Sequence, residues 1–412
     1  YPTAKRFIGE EETTTRQGAV IPTDSQTDIW SEDETEPSVD ETSEQESSEF
    51  AESGTEISSE DISDVSEEVT DMNGEQLVSV IDEQIKLAFE NYNPGIEEYD
   101  SLYGSVRGVI EEVNKSIVSV EVSQDGTTWD YISDAGIRGF IVAEDDKFFY
   151  MVTVKELVEN KTLSVIMGDG TIASGVYLTG DATTNLAVIA VDKSIYGGNI
   201  PDSVKTVVLG NSYVLKQGEP LIALGNIYGQ GDMAVYTMAA STKNTLMDTD
   251  CTYRIIGTDI ISGADDTGII VNTKGEVIAI IPYHNENMSG EIINTYGISE
   301  LKRLIERLIN GKVTPYVGIK PQTVTAAMKE AYGMPDGIYV SSVEADSPAF
   351  YAGVQSGDII TSVGTENVST TRTFQNVLFT MEPGNSAVMY ISRPGKDGYR
   401  NIEITLELGV EQ

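Results

Sequence analysis

Asp181-Ala182-Thr183-Thr184-Asn185-Leu186-Ala187-Val188-Ile189-Ala190-Val191 passes from polar residues into an apolar run, Leu186–Val191. A short apolar run bounded by turn residues reads as a strand of a buried sheet. The same reading repeats on both sides of it. Phe140–Val142, Phe148–Val154 and Leu163–Met167 precede it. Thr206–Leu209, Pro220–Leu224, Ala234–Ala239, Gly268–Val271 and Val277–Ile281 follow. Turn pairs such as Asp169-Gly170 and Lys274-Gly275 separate the runs. Further upstream, Ile117, Ser119 and Glu121 alternate with Val118, Val120 and Val122, which marks the first strand. Many short strands at this spacing predict an all-β barrel or sandwich ending near residue 293.

Helices flank this region. Ser299-Glu300-Leu301 opens one that runs to Ile309 and stops at Asn310-Gly311, with Arg303 and Arg307 near its C-terminal end. A second compact unit begins after Lys312. On the N-terminal side, Leu77, Ile81, Ile85 and Phe89 recur every four residues, predicting a helix over 75–92 stopped by Asn93-Pro94-Gly95. Another is predicted over 101–114, with Leu102, Val106, Val109, Ile110 and Val113 on one face. Residues 1–72 hold 22 acidic and 3 basic residues, a net charge of −19, and no Lys or Arg occurs from Gln17 to Ile85. Such a segment cannot bury enough apolar surface to offset its ordering entropy, so a disordered, self-repelling linker is expected.

The whole chain has 412 residues, which suggests two to three domains, and its 40% apolar content suffices for real cores. A net charge of −41 argues against a nucleic-acid partner and against docking on anionic lipid. One cysteine, Cys251, excludes an internal disulfide framework and reads as inert core. One histidine, His284, lies in the polar loop Pro282-Tyr283-His284-Asn285-Glu286-Asn287 and reads as an exposed loop residue. No cofactor and no metal site is expected. No apolar run approaches the ~18 residues a membrane span needs. The chain opens on Tyr1, so the expectation is a processed chain or a fragment, with a signal segment or membrane anchor upstream of residue 1.

From roughly Ser101 to Gly409 the sequence resembles the HtrA/Deg-type, trypsin-like serine proteases of bacteria that carry a C-terminal PDZ domain. Gly168-Asp169-Gly170 followed by Asp181–Ile189 is similar to that family's DG…D-x-x-TDLAVL. Gln217-Gly218-Glu219-Pro220-Leu221-Ile222-Ala223-Leu224-Gly225-Asn226 is similar to VGDxVLAIGN. Thr258-Asp259 and Val271-Asn272-Thr273-Lys274-Gly275-Glu276-Val277-Ile278 bracket the place of the family's nucleophile. The resemblance implies two six-stranded β-barrels with the active site in the cleft between them. The expected fold is mainly β: a trypsin-like double β-barrel over 116–312, then an α+β PDZ domain over 313–412. A disordered acidic linker over 1–72 and a helical extension over 73–115 precede them.

Mapped residue by residue, the catalytic positions are replaced. The family's T-N-x-H-V-V falls on Thr153–Val158, which puts Glu156 at the base. The acid falls on Asn185, and Ala264–Val271 aligns with G-N-S-G-G-P-L-V, which puts Asp266 at the serine. A slip of one residue would bring Thr267 there instead. Serine hydrolysis of this kind needs an imidazole that takes the serine proton and returns it to the leaving amine, and His284 lies after the nucleophile region. Removing single triad members from a bacterial serine protease costs up to ~10⁶ in turnover. The expectation is therefore a pseudoprotease, with endopeptidase action through a non-standard nucleophile as the alternative. Glu156 and Asp266, with Asp265 adjacent, are expected to face one another across the cleft as solvated carboxylates, a proton-sharing or cation-binding pair being less favoured. Activation of Thr267 by Lys155 is weaker still, because successive strand side chains point to opposite faces.

The second unit keeps its binding features. Tyr316-Val317-Gly318-Ile319 resembles the YLGI carboxylate-binding loop of HtrA-type PDZ domains. Gly337-Ile338-Tyr339-Val340, Ser347-Pro348-Ala349 and Ala352–Ile360 are similar to GVYV…SPA…AGLxxGDxI. A peptide would add as a strand to the sheet edge, its terminal carboxylate on the loop's N–H groups. A helix expected over Thr371–Met381 would form the other wall, with Phe374, Val377 and Leu378 as candidate pocket residues, about one of the three facing the groove. The expected partners are polypeptide C-termini or unfolded segments. The resemblance also implies an extracytoplasmic, envelope-associated location and possible homotrimer formation.

Overall fold

The computed structural model describes residue 86 and residues 95–123, 137–263, 265–283, 292–396 and 398–411. The acidic stretch 1–72, the segment 75–92 apart from the helical Lys86, and His284 lie outside the described residues. Helix α1, Ile96–Asn114, begins five residues earlier than the apolar stripe predicts. Gly95 does not only stop what precedes it: its N–H donates to Glu98 Oε2 at 2.9 Å. Glu97 and Glu98 also favour the positive end of the helix dipole.

Strands β1 (Ile117–Ser123), β2 (Ile137–Glu144), β3 (Phe148–Val154), β4 (Thr162–Ile166), β5 (Ile172–Gly180) and β6 (Leu186–Asp192) close a barrel in the order β1-β2-β3-β6-β5-β4. A short helix, α2 (Lys155–Val158), follows β3. In β1 the predicted alternation holds, with Val118, Val120 and Val122 buried. In β3 and β6 nearly every residue is buried, because each strand has a core on both faces. Phe149, Met151, Ala187 and Ile189 fill the barrel, whereas Tyr150, Val152, Leu186 and Val188 join a second core outside it.

That second core is shared with the next sheet. Its strands are β7 (Val208–Leu209), β8 (Pro220–Ile227), β9 (Gln230–Met238), β10 (Ser241–Asp248), β11 (Cys251–Ile261), β12 (Thr267–Asn272), β13 (Glu276–Ile281) and β14 (Ile292–Gly297). In place of the six strands implied by the resemblance, eight are joined, in the order β10-β11-β14-β13-β12-β8-β9, with the two-residue β7 pairing in parallel on β13. Helix α3, Ile298–Ile309, closes the shared core with Ile298, Leu301, Leu304, Ile305 and Leu308. Among the described residues no helix is long and apolar enough to cross a membrane.

The last sheet holds β15 (Ile319–Thr323), β16 (Ile338–Val343), β17 (Ile359–Val363), β18 (Glu366–Asn367), β19 (Ser386–Gly395) and β20 (Gly398–Glu407). Their order is β15-β16-β17-β19-β20, with β18 on β17, so β15 is an edge. Helices α4 (Ala326–Tyr332), α5 (Pro348–Ala352) and α6 (Thr371–Leu378) complete the unit. Helix α6 ends three residues before the predicted Met381, where the N–H groups of Thr380 and Met381 tighten onto the carbonyls three residues back.

Arg307 and Tyr213 both join this unit to the rest. Arg307, read from sequence as a charge at a helix C-terminus, is only 5% exposed. Its guanidinium donates to the Val313 carbonyl at 2.8 and 3.0 Å, to the Phe379 carbonyl at 2.8 Å and to Glu382 Oε2 at 2.6 Å. Tyr213 lies between two cations, with the Arg372 guanidinium carbon 3.9 Å and that of Arg254 5.1 Å from its ring centre. Beside it, Glu300 in the first turn of α3 is pushed up to about 7 by burial, against the pull of Arg254 and Arg372.

Arg307→Ala leaves the Val313 and Phe379 carbonyls and Glu382 without their donor and is expected to destabilise the chain by about 1–3 kcal/mol in denaturant unfolding. A carboxyl raised in the folded state stabilises below the ordinary carboxylate range and loses that contribution as pH rises through about 7. The Tm is therefore expected to fall between pH 6 and pH 8, and Glu300→Gln to shrink that fall by roughly 2–4 °C.

Candidate functional site

Two regions carry the residues singled out from sequence. The first is the cleft at the rim of the shared core. The carbonyl of Asn185 accepts from the Lys155 N–H at 2.8 Å, and its Oδ1 accepts from the Glu156 N–H at 3.0 Å. Asn185 Nδ2 in turn donates to Glu156 Oε2 at 3.4 Å. The turn that makes this possible needs φ of +58° at Asn185, a conformation asparagine tolerates. Two of the three mapped positions, 29 residues apart, are thus brought together.

The third is not joined to them. Glu156 is exposed, whereas Asp266 is buried, with 4% exposure. Asp266 Oδ1 accepts the Tyr228 N–H at 2.8 Å, and Oδ2 accepts the Gly263 N–H at 2.5 Å. The expected pair of solvated carboxylates is corrected accordingly: Asp266 pins its own loop to the β8–β9 turn, and its oxygens are taken by backbone donors. Asp265 anchors the same loop, its carbonyl accepting from Asn226 Nδ2 at 2.9 Å. Lys155 turns to Glu159, at 3.7 Å, on the next turn of α2.

Thr267, next to Asp266, opens β12 at the cleft. It lines an apolar hollow with Arg138, Asn185, Gly225, Gly268 and Tyr283, which neither Glu156 nor Asp266 lines. Strands β12 and β8 approach so closely there that a Cβ on Gly268, at φ +153°, would lie 2.2 Å from the Leu224 carbonyl oxygen. Tyr283 was not singled out from sequence, where its loop drew notice only for His284. Burial and the charges of Asp265 and Glu156 push its phenol up.

The second region is the loop Tyr316–Ile319. Gly318 has φ +85°, and a Cβ there would lie 2.2 Å from Ser347 Cβ, so only glycine permits the turn. The N–H groups of Val317, Gly318 and Ile319 converge on one point, as the sequence predicts for a carboxylate-binding loop. A carboxylate is there: that of Asp250, from the turn between β10 and β11. Val317 donates to Oδ2 at 2.6 Å, Gly318 to both oxygens at 2.9 and 3.0 Å, and Ile319 to Oδ1 at 2.9 Å. The Asp250 N–H donates back to the Ile319 carbonyl at 2.7 Å, and Thr252 Oγ1 donates to the Pro321 carbonyl at 3.2 Å. Burial pushes the Asp250 carboxyl up to about 7, against the pull of its three N–H donors. Tyr316 donates its hydroxyl to Glu344 Oε2 at 3.0 Å.

On α6 the three candidate pocket residues separate. Phe374 and Leu378 are fully buried in the core of this unit, and Val377 is half-buried against it. Cys251, next to Asp250, is buried, and burial pushes its thiol up. Sequence reasoning missed Asp250, because a two-residue turn gives no sign of a partner 67 to 69 residues away.

Residues 315–406 match the family model described as PDZ domain. The chain is 25% identical over 334 residues to the serine protease Do-like HtrB of Bacillus subtilis, covering 73% of this chain and 71% of that protein. It is 27% identical over 276 residues to a probable periplasmic serine endoprotease, DegP-like, of Halomonas elongata, covering 65% of this chain and 55% of that one. The chain thus spans about half the length of the DegP-like relatives it matches. Its fold matches a solved HtrA-type protease, AlgW with tripeptide, at a TM-score of 0.51 and 19% identity, over 74% of this chain and 97% of that one. The named relatives are serine endoproteases, and they correct the expectation, drawn from the replaced triad positions, that the chain is not an enzyme. The chain is a homologue of the HtrA/Deg-type, trypsin-like serine proteases with a C-terminal PDZ domain.

Proposed function

We propose that the chain is an extracytoplasmic HtrA-type protein that recognises polypeptides by their exposed C-termini, in protein quality control or signalling. The observation that carries this reading is the convergence of the Val317, Gly318 and Ile319 N–H groups on one carboxylate-sized point. Strand β15 continues from that loop as a sheet edge, onto which a peptide strand can add. The location is supported by the DegP-like relatives, which are described as periplasmic.

A second reading, endopeptidase action through a non-standard nucleophile, is favoured by Thr267. Thr267, rather than Asp266, lines the cleft with Asn185 and Tyr283. A hydroxyl nucleophile requires a group that takes its proton; the raised Tyr283 phenol stays protonated near neutral pH and offers a donor to the cleft.

Two measurements test these readings. In fluorescence anisotropy with the full chain, labelled decapeptides are expected to lose at least about tenfold in affinity when the terminal carboxylate is amidated, a difference of ~1.4 kcal/mol. Equal binding of the free and amidated forms would remove the C-terminus reading. In casein digestion, Thr267→Ser is expected to retain cleavage and Thr267→Ala to abolish it. Cleavage unchanged by Thr267→Ala would remove Thr267 as the nucleophile.

A further inference from the structure

We propose that the β10–β11 hairpin is an internal ligand of the PDZ groove: Asp250 stands in for a peptide's terminal carboxylate, and an incoming C-terminus binds by displacing it. This rests on the reading of Tyr316–Ile319 as the carboxylate loop and adds the regulation of that site.

The bonds are those a bound peptide end would make. A terminal residue offers a carboxylate to the loop's N–H groups and its own N–H to the strand that follows. Asp250 offers its side-chain carboxylate to Val317, Gly318 and Ile319, and its N–H to the Ile319 carbonyl. Thr252, two residues along β11, reaches the Pro321 carbonyl two residues along β15. The hairpin therefore meets the edge strand at two points, Ile319 beside the loop and Pro321 beyond it. Thr249 Oγ1 holds the turn from the other side, donating to Glu344 Oε1 at 2.6 Å.

The sequence builds the hairpin for this position. Strands β10 and β11 are joined by Thr249-Asp250 alone, with Asp248 paired to Cys251. Asp250 takes φ +58°, a conformation aspartate adopts more readily than most residues. The carboxylate is almost wholly removed from water, with 8% exposure of the residue, and every loop N–H that would bind a peptide is already used. A C-terminus therefore competes with a tethered carboxylate, and its apparent affinity is reduced by the fraction of chains in which the loop is open.

Asp250→Gly removes the carboxylate and suits the left-handed turn; Asp250→Asn, which keeps the shape and loses the charge, serves as the second variant. Amide hydrogen exchange of the full chain reports on the loop itself. Binding of labelled decapeptides with randomised free C-termini reports on the groove. The expected result is faster exchange at 317–319 in Asp250→Gly, together with at least tenfold tighter peptide binding than the unchanged chain, and an intermediate effect in Asp250→Asn. Unchanged protection at 317–319, or equal peptide affinity in all three proteins, overturns the proposal. Faster exchange with no peptide bound by any of the three supports the internal ligand and instead removes the reading of the groove as a C-terminus receptor.

Discussion

Burial of the β2–β3–β6 strands on both faces is the constraint on which the rest of this molecule depends. Phe149, Met151 and Ile189 have no exposed alternative inside the closed barrel. Their sequence neighbours Tyr150, Val152 and Val188 then point outward and must be covered. The cover is Leu224 and Ile269 from the second sheet, Tyr296 from β14, and the apolar stripe of α3. Two sheets are thereby locked to one another without a disulfide. The cleft is the rim of that junction, where Val154, Leu186 and Gly268 reach the edge of the shared core. Side chains placed at those strand ends are held by rigid backbone rather than by mobile loops, an arrangement suited to positioning chemistry.

Much of this was legible in sequence because it follows from periodicity. Apolar runs such as Leu186–Val191 marked strands, and Ser299-Glu300-Leu301 with Asn310-Gly311 marked the ends of α3. What failed depended on partners that periodicity does not reveal. Asn93-Pro94-Gly95 was read as an end, yet Gly95 also begins α1, because the decisive bond comes from Glu98. The eight-stranded sheet depends on a two-residue strand too short to carry a pattern. At the cleft, a one-residue uncertainty at Asp266 and Thr267 exchanges a residue that pins its loop for one that lines the hollow. On α6, helical spacing grouped Phe374, Val377 and Leu378, but it could not tell a core face from a groove wall.

The two aspartates that sequence and structure bring to prominence obey one rule with different consequences. A carboxylate withdrawn from water is tolerated only where donors replace its hydration. Asp266 finds them in Tyr228 and Gly263, within its own sheet and loop, so the bond is part of that domain's fold. Asp250 finds them in another domain, so the bond exists only while the two are docked. The same chemistry is a fixed pin in one place and a conditional contact in the other.

The condition is set by what each partner does when separated. Three convergent N–H groups left in a dry site without an acceptor would cost about as much as the bonds they make. On an open sheet edge, water or a peptide end can supply that acceptor. Asp250 likewise regains hydration when its hairpin is released, and burial pushes its docked carboxyl up to about 7, against the pull of the three N–H donors. Glu411, whose charge disfavours a second anion beside Asp250, acts in the same direction. Opposing release are Arg307 on Phe379 and Glu382, and Tyr213 against Arg372 of α6. The domains can therefore stay joined at those contacts while the Asp250 contact alone gives way. An internal carboxylate on a two-residue turn, beside anchors set on other elements, gives a groove that is filled at rest and open to competition by a peptide end.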